Sequence, residues 1–311
     1  MRTDPFESLR SFVDPKLGIR ETFLTPRLGG GRTVGVLTSP VEVAASFGWV
    51  LCHSFGLEFG YLQPLEVLLA RSLARTGSHV LRFHAQGYGD SEMSLQEAGI
   101  AHHLDSAVEA VAFLRRAAPV SQVGYAGARF GGAIAALAGQ MAGCAGMILW
   151  DPVVNGASFL RSLLRQEIAS RVTSGDGGSG ESRDSLAELA EKGTLDLQGI
   201  AITRRLFDEI SVIDLVRNLA QAPSRTLIVQ VSPSRTPKPD FERLRSRLVE
   251  LHGECSLEFA RTKDAVRFGG PKFKPIGDGR KLDLQAEIGE ALAQVTSSWV
   301  GSDRREGRVV S

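Results

Sequence analysis

Gly127-Ala128-Arg129-Phe130-Gly131 has the spacing of a nucleophile elbow, G-x-S-x-G, a sharp strand-to-helix turn that lifts one side chain above a sheet. An apolar run, Val123 to Ala126, leads into it, and a stretch rich in Ala and Gly follows from Gly132 to Gly139. The flanking glycines remove Cβ atoms where strand and helix nearly touch and permit the strained turn. The central residue is Arg129, whose guanidinium stays protonated and has no lone pair to attack a carbonyl. Triad chemistry also needs a His base and an orienting acid. By chain order the base belongs in residues 261–280, which contain no His. The acid belongs after the apolar run Thr226 to Val231, where Ser232 to Asp240 offers only Asp240. Asp151, after another apolar run, is the second candidate acid. Two of three triad positions therefore lack their chemistry, and no residue is assigned as catalytic.

Arg129 admits two readings. In one it forms a buried pair with Asp151 or Glu58 that holds loops together. In the other it faces a pocket at the start of a helix, Gly131 to Gln140, where backbone N–H groups and the helix dipole also favour anions. His53, Ser54, Arg129, Phe130 and Asp151 would then line a ligand site, with N–H groups of Phe130 and of residues 53–56 as further donors. The other reactive side chains read more plainly. Cys52 ends an apolar run and suits core packing. Ser54 and Ser91 suit turns. His53 and His84 suit structural hydrogen bonds, although either could touch a ligand. His102-His103 opens a helix and is expected to be exposed. No His or Cys spacing matches a zinc site, Gly29-Gly30-Gly31 lacks the Lys-Ser of a P-loop, and no metal or cofactor is read.

The elements that must position these residues follow from patterning. The chain has 311 residues, enough for one large α/β domain, with 43% apolar and 23% charged residues. Its net charge of +1 gives no electrostatic case for nucleic acid. Its three cysteines sit in apolar surroundings and suit a reducing compartment. The first residues carry early acids, unlike a signal peptide, and no apolar run is long enough to span a bilayer. A cytoplasmic location is expected.

Residues 1–18 show little pattern. Strands are expected at Ile19–Pro26, Arg32–Pro40, Phe47–Cys52, His79–Phe83, Val123–Ala128, Ala145–Trp150, Thr226–Val231 and Cys255–Ala260. Helices are expected at Tyr61–Arg75, closed by Gly77, at Ala101–Ala117, at Phe241–Leu251 and at Leu282–Val300. Strands alternating with helices imply a mostly parallel sheet, and ligands then bind beyond the carboxyl ends of its strands. His53, residues 87–91, Arg129 and Asp151 all fall there. The core is expected over 1–156 and 223–300, with a frayed tail at 301–311. Between them, 157–222 reads as a lid. It has helices at Phe159–Arg171, Ser185–Lys192 and Arg204–Leu219, an arm or strand at Leu195–Ile202, and a disordered linker near 174–184.

The element order, the elbow spacing and two rim stretches resemble the α/β-hydrolase superfamily over nearly the whole chain. Leu51-Cys52-His53-Ser54-Phe55-Gly56 resembles its oxyanion loop. Arg82 to Ser91 resembles its D-x-x-G-x-G-x-S stretch, with His84 where Asp is usual. Gly127 to Gly131, Leu149 to Gly156 and Leu195-Asp196-Leu197-Gln198-Gly199 resemble, more narrowly, the hydrolase-type proteins found beside exosortase and exopolysaccharide systems, a resemblance that implies Arg at the elbow. Residue types and resemblance together lead to an α/β-hydrolase fold that is non-hydrolytic and binds an acidic or acyl-bearing small molecule, or a protein partner, at the old rim. Two alternatives stand: an ester or thioester hydrolase or acyltransferase with an unconventional nucleophile, and a structural partner in an envelope or polysaccharide assembly.

Overall fold

Apolar runs bounded by glycine-rich turns become the inner strands of a nine-stranded sheet in the computed structural model. It describes residues 10–43, 45–173, 185–197, 199–262, 268, 273–275 and 281–305. The strands are β1 (Ser11–Asp14), β2 (Ile19–Leu24), β3 (Gly35–Pro40), β4 (Phe47–Cys52), β5 (His79–Phe83), β6 (Gln122–Ala128), β7 (Gly146–Trp150), β8 (Arg225–Ser232) and β9 (Glu254–Arg261). Their spatial order is β1-β2-β3-β5-β4-β6-β7-β8-β9. The first three pair antiparallel, as does β3 with β5, and every later pairing is parallel. The elbow strand β6 lies in the interior of the sheet.

Helices cover both faces because the inner strands are apolar on both. On one side lie α1 (Leu57–Arg75) and the closing helix α9 (Leu284–Arg305), packed on Trp49, Leu51, Ile148, Leu227 and Val229. On the other lie α2 (Ile100–Ala117), α3 (Phe130–Ala142) and α8 (Pro239–Glu250), packed on Val50, Tyr125, Leu149 and Ile228. Val50 and Leu51 thus serve opposite cores, the period-2 alternation of a strand buried on both sides. Each such fully buried aliphatic side chain contributes about 1.5–3 kcal/mol. Trp150 anchors α9 by donating its indole N–H to Thr296 Oγ1 at 3.0 Å. Gly77, with φ 82°, follows α1 as the capping glycine expected there.

The lead-in contains a strand that patterning missed. β1 is exposed on both faces, so burial imposed no alternation on its sequence. Arg32 belongs to a short hairpin, Arg27–Leu28 with Gly31–Arg32, turned by Gly29 and Gly30 at φ 62° and 89°.

The chain between β7 and β8 holds α4 (Gly156–Thr173), α5 (Ser185–Lys192), a hairpin of Thr194–Leu197 with Ile200–Thr203, α6 (Arg204–Ser211) and α7 (Leu215–Asn218). The single helix read over Arg204–Leu219 is in fact two, broken at 212–214. There Asp214 accepts hydrogen bonds from the N–H groups of Val216 and Arg217 and starts a new turn. The linker read near 174–184 lies outside the described residues. No described helix is long and apolar enough to cross a membrane.

Candidate functional site

The elbow forms where the spacing places it. β6 ends at Ala128, Arg129 turns with φ 51° and ψ −120°, and α3 begins at Phe130. A Cβ on Gly127 would overlap the carbonyl of Gly131, and one on Gly131 would overlap that of Cys52. This left-handed turn at a non-glycine residue is a conformation that costs on the order of 1–3 kcal/mol and persists only when its surroundings impose it. Here Arg129 donates its N–H to Trp150 O at 2.9 Å, and its carbonyl accepts from Val153 N at 2.9 Å and Gly132 N at 3.1 Å. Asp151, at the end of β7, is also left-handed, with φ 43°, and donates to Val229 O at 2.7 Å.

The guanidinium lies between two buried carboxylates. Its Nε and Nη2 donate to Glu58 Oε1, both at 3.2 Å. Its Nη1 donates to Asp151 Oδ2 at 3.0 Å and to Asp151 O at 3.2 Å. Lys238, in the loop after β8, donates to Asp151 Oδ1 at 2.7 Å. Two cations and two anions therefore alternate across the rim, Glu58–Arg129–Asp151–Lys238. Burial opposes the charge on Arg129, but the facing carboxylates Glu58 and Asp151 outweigh it and push its pKa above the usual arginine value. The Arg129 side chain is 21% exposed. It opens onto a cleft of about 210 Å³ walled by Val153, Val154, Phe159 and Phe241, with Lys238 and Asp240 at its edge.

The other residues read from sequence lie behind this line. Ser54 is buried, and its hydroxyl donates to Ala128 O at 2.8 Å. Phe130 is in the core against Phe55 and Phe159. His53 is buried, with Nε2 accepting from Ala85 N at 2.9 Å and Nδ1 therefore donating to Ser54 O at 2.8 Å. Burial, with a smaller push from His103, lowers its pKa to about 3, so the ring is neutral with both nitrogens engaged. It lacks the free lone pair of a general base. His103, expected at an exposed helix start, is also buried, and burial lowers its pKa to about 4. The N–H groups of the 53–56 loop are not all open to a ligand, because Ser54 N donates to Glu66 Oε1 at 3.2 Å and Gly56 N donates to the Tyr88 hydroxyl at 2.9 Å. Asp240 stands at the start of α8 in an ion pair with Arg243, with no His beside it among the described residues.

Three participants escaped the sequence reading. Lys238 sits in the rim loop searched only for an acid. Glu66 and Tyr88 hold the 53–56 loop from α1 and from the turn after β5. Glu66 looks like one more polar helix position until the fold buries it, and that burial raises its pKa to about 7. It lines a second cleft, of about 230 Å³, with His53, Phe59, Arg82 and His84.

Solved structures share the fold. Est1E from Butyrivibrio proteoclasticus, in a structure with ferulic acid bound, aligns over 89% of this chain and 99% of its own, with TM-score 0.62 and 14% identity. The fold is that of the α/β-hydrolases. A putative hydrolase from Agrobacterium vitis S4 covers 90% of this chain and 98% of its own, with TM-score 0.52 and 18% identity. Carboxyl esterase 2 from Tuber melanosporum covers 93% and 86%, with TM-score 0.54 and 17% identity. At these identities the likeness is one of fold, and fold does not carry function with it. No protein-family model and no curated protein matches the chain.

Proposed function

We propose that this chain is an α/β-hydrolase-fold protein that does not hydrolyse, and that it binds an acidic or acyl-bearing small molecule in the cleft beside Arg129. One observation carries the first part. The position from which this fold aims a nucleophile holds a guanidinium fixed between Glu58 and Asp151. That group cannot attack a carbonyl, and it fills the place where a base would approach. The second part rests on the cleft's chemistry. Its lining sets Val153, Val154, Phe159 and Phe241 beside Asn155, Ser158 and Ser162, and the Lys238 ammonium keeps hydrogens beyond the one given to Asp151. A carboxylate head at Lys238 and Arg129 with an acyl tail along Val154 and Phe159 fits both. The insertion between β7 and β8 supplies one wall through α4 and would act as a lid.

The rim's charges already balance one another, which favours a second reading: a structural component that uses the fold as a frame. The short motifs that resemble those of exosortase-associated proteins suggest an envelope or polysaccharide assembly as its setting. Two measurements separate the readings. Thermal shift with fatty acids, acyl phosphates and sugar phosphates should show stabilisation of wild type that weakens in Lys238→Ala, by about tenfold in affinity for one charge-assisted contact. No stabilisation by any of them would leave the structural reading. Arg129→Ser should give no burst of acyl-enzyme with an aryl ester, since a Ser without its base stays protonated. Efficient acylation would overturn the non-hydrolytic reading.

A further inference from the structure

The two outer strands of the sheet are built differently. The outer strand β9 carries Glu254, Glu258 and Arg261, charges of the kind that keep an edge from pairing. At the other edge β1 presents Phe12 and Val13, and Phe12 is 59% exposed. Phe23 on β2 is 53% exposed and sits opposite Arg10, diagonal to Phe12 on the same face. Apolar side chains thus collect at an edge where the charged ones stand only at the strand's two ends.

The hydrogen-bond phase of β1 is fixed by β2. Phe23 N donates to Arg10 O at 2.8 Å, and Gly18 N donates to Asp14 O at 2.9 Å. In an antiparallel ladder alternate residues face the same neighbour. Arg10, Phe12 and Asp14 therefore turn their backbone groups towards β2, and Ser11 and Val13 turn theirs outwards, away from every strand among the described residues. A strand paired antiparallel with its own copy has a two-fold axis. With that axis at Phe12, Ser11 meets Val13 of the copy and both pairs exchange their outward N–H and C=O groups. Phe12 meets its own copy in a non-hydrogen-bonded pair, where Cα atoms approach to about 4.5 Å. Arg10 meets Asp14 at each end, so both charge pairs are opposite in sign. This register also overlaps the full length of the strand.

We propose that β1 pairs antiparallel with β1 of a second copy of this chain, about a two-fold axis at Phe12, joining two nine-stranded sheets edge to edge. A second copy is the occupant because one strand supplies both halves of the match: outward donors opposite outward acceptors, Arg10 opposite Asp14, Phe12 opposite Phe12. The pairing packs Phe12 against its copy and draws Phe23 of each copy to the border of the contact. Because β1 lies at the far edge from α8 and the Arg129 cleft, this proposal does not depend on the reading of that site.

Sedimentation velocity on the full chain over a range of concentrations tests it. Wild type should dimerise. Val13→Pro removes an outward N–H that the monomer does not use, so the monomer folds and dimerisation is lost. Arg10→Asp sets like charges opposite at both ends and should raise the dimer Kd about tenfold or more. Phe12→Cys should cross-link two chains on oxidation, because the Cα separation of that pair falls within disulfide range, while Ser11→Cys, offset from its copy, should not. A wild type that stays monomeric overturns the proposal. So does a dimer indifferent to Val13→Pro and to charge reversal, or one that cross-links through Ser11→Cys in preference to Phe12→Cys.

Discussion

Replacing Arg129 by Met tests whether the rim is held by its ion pairs. Met keeps much of the side chain's length and packing while removing the charge and all the donors. Asp151 keeps Lys238 at 2.7 Å, but Glu58, whose side chain is 3% exposed, loses the guanidinium that donates to its Oε1 twice. Removing one member of a buried pair costs about 3–5 kcal/mol, because the remaining charge stays desolvated. For a chain of this size that corresponds to a fall in Tm of about 5–8 °C. Adding Glu58→Leu removes the charge that faced the guanidinium and should recover most of the loss, since an ion pair exchanged for apolar groups is often neutral. Differential scanning calorimetry of the three proteins provides the comparison. If Arg129→Met melts with wild type, the ion pairs do not hold the rim and the structural account of Arg129 fails.

Two further outcomes rest on the same geometry. Glu66 titrates near pH 7 in the fold and near the ordinary glutamate value when unfolded. The native state thus binds the extra proton, and stability should fall by about 2 kcal/mol as pH rises from about 5 to 7. Glu66→Gln, which can still accept from Ser54 N, should flatten that dependence in thermal melts, and an unchanged slope would assign it to another group. Gly131→Ala should cost about 3 kcal/mol or more, because the added Cβ meets the backbone of Cys52 and His53, which cannot step aside. Chemical denaturation that finds this variant as stable as wild type would show that the turn is not packed as described.

The sequence by itself determined the frame. Residues Phe47 to Cys52 and Gly146 to Trp150 are apolar at nearly every position, and only a strand covered on both faces buries all of them. The glycines at 127 and 131 gave the elbow, because backbone atoms approach there more closely than a Cβ allows. The absence of a Ser at 129 and of a His in 261–280 was equally plain, being a matter of residue type. Tertiary structure alone decided what Arg129 does. Its partners come from the start of α1 and the end of β7, which lie 71 and 22 residues away along the chain. No local pattern encodes which rim side chains will meet. Glu66 and Lys238 lie in helix and loop positions where charged residues ordinarily face water, and nothing in their neighbours marks them as different. The strand β1 escaped for the opposite reason: as an edge exposed on both faces it has no buried side to impose a period. Burial writes periodicity into a sequence, so the core was readable, while the polar contacts at the rim and the exposed edge had to be seen in three dimensions.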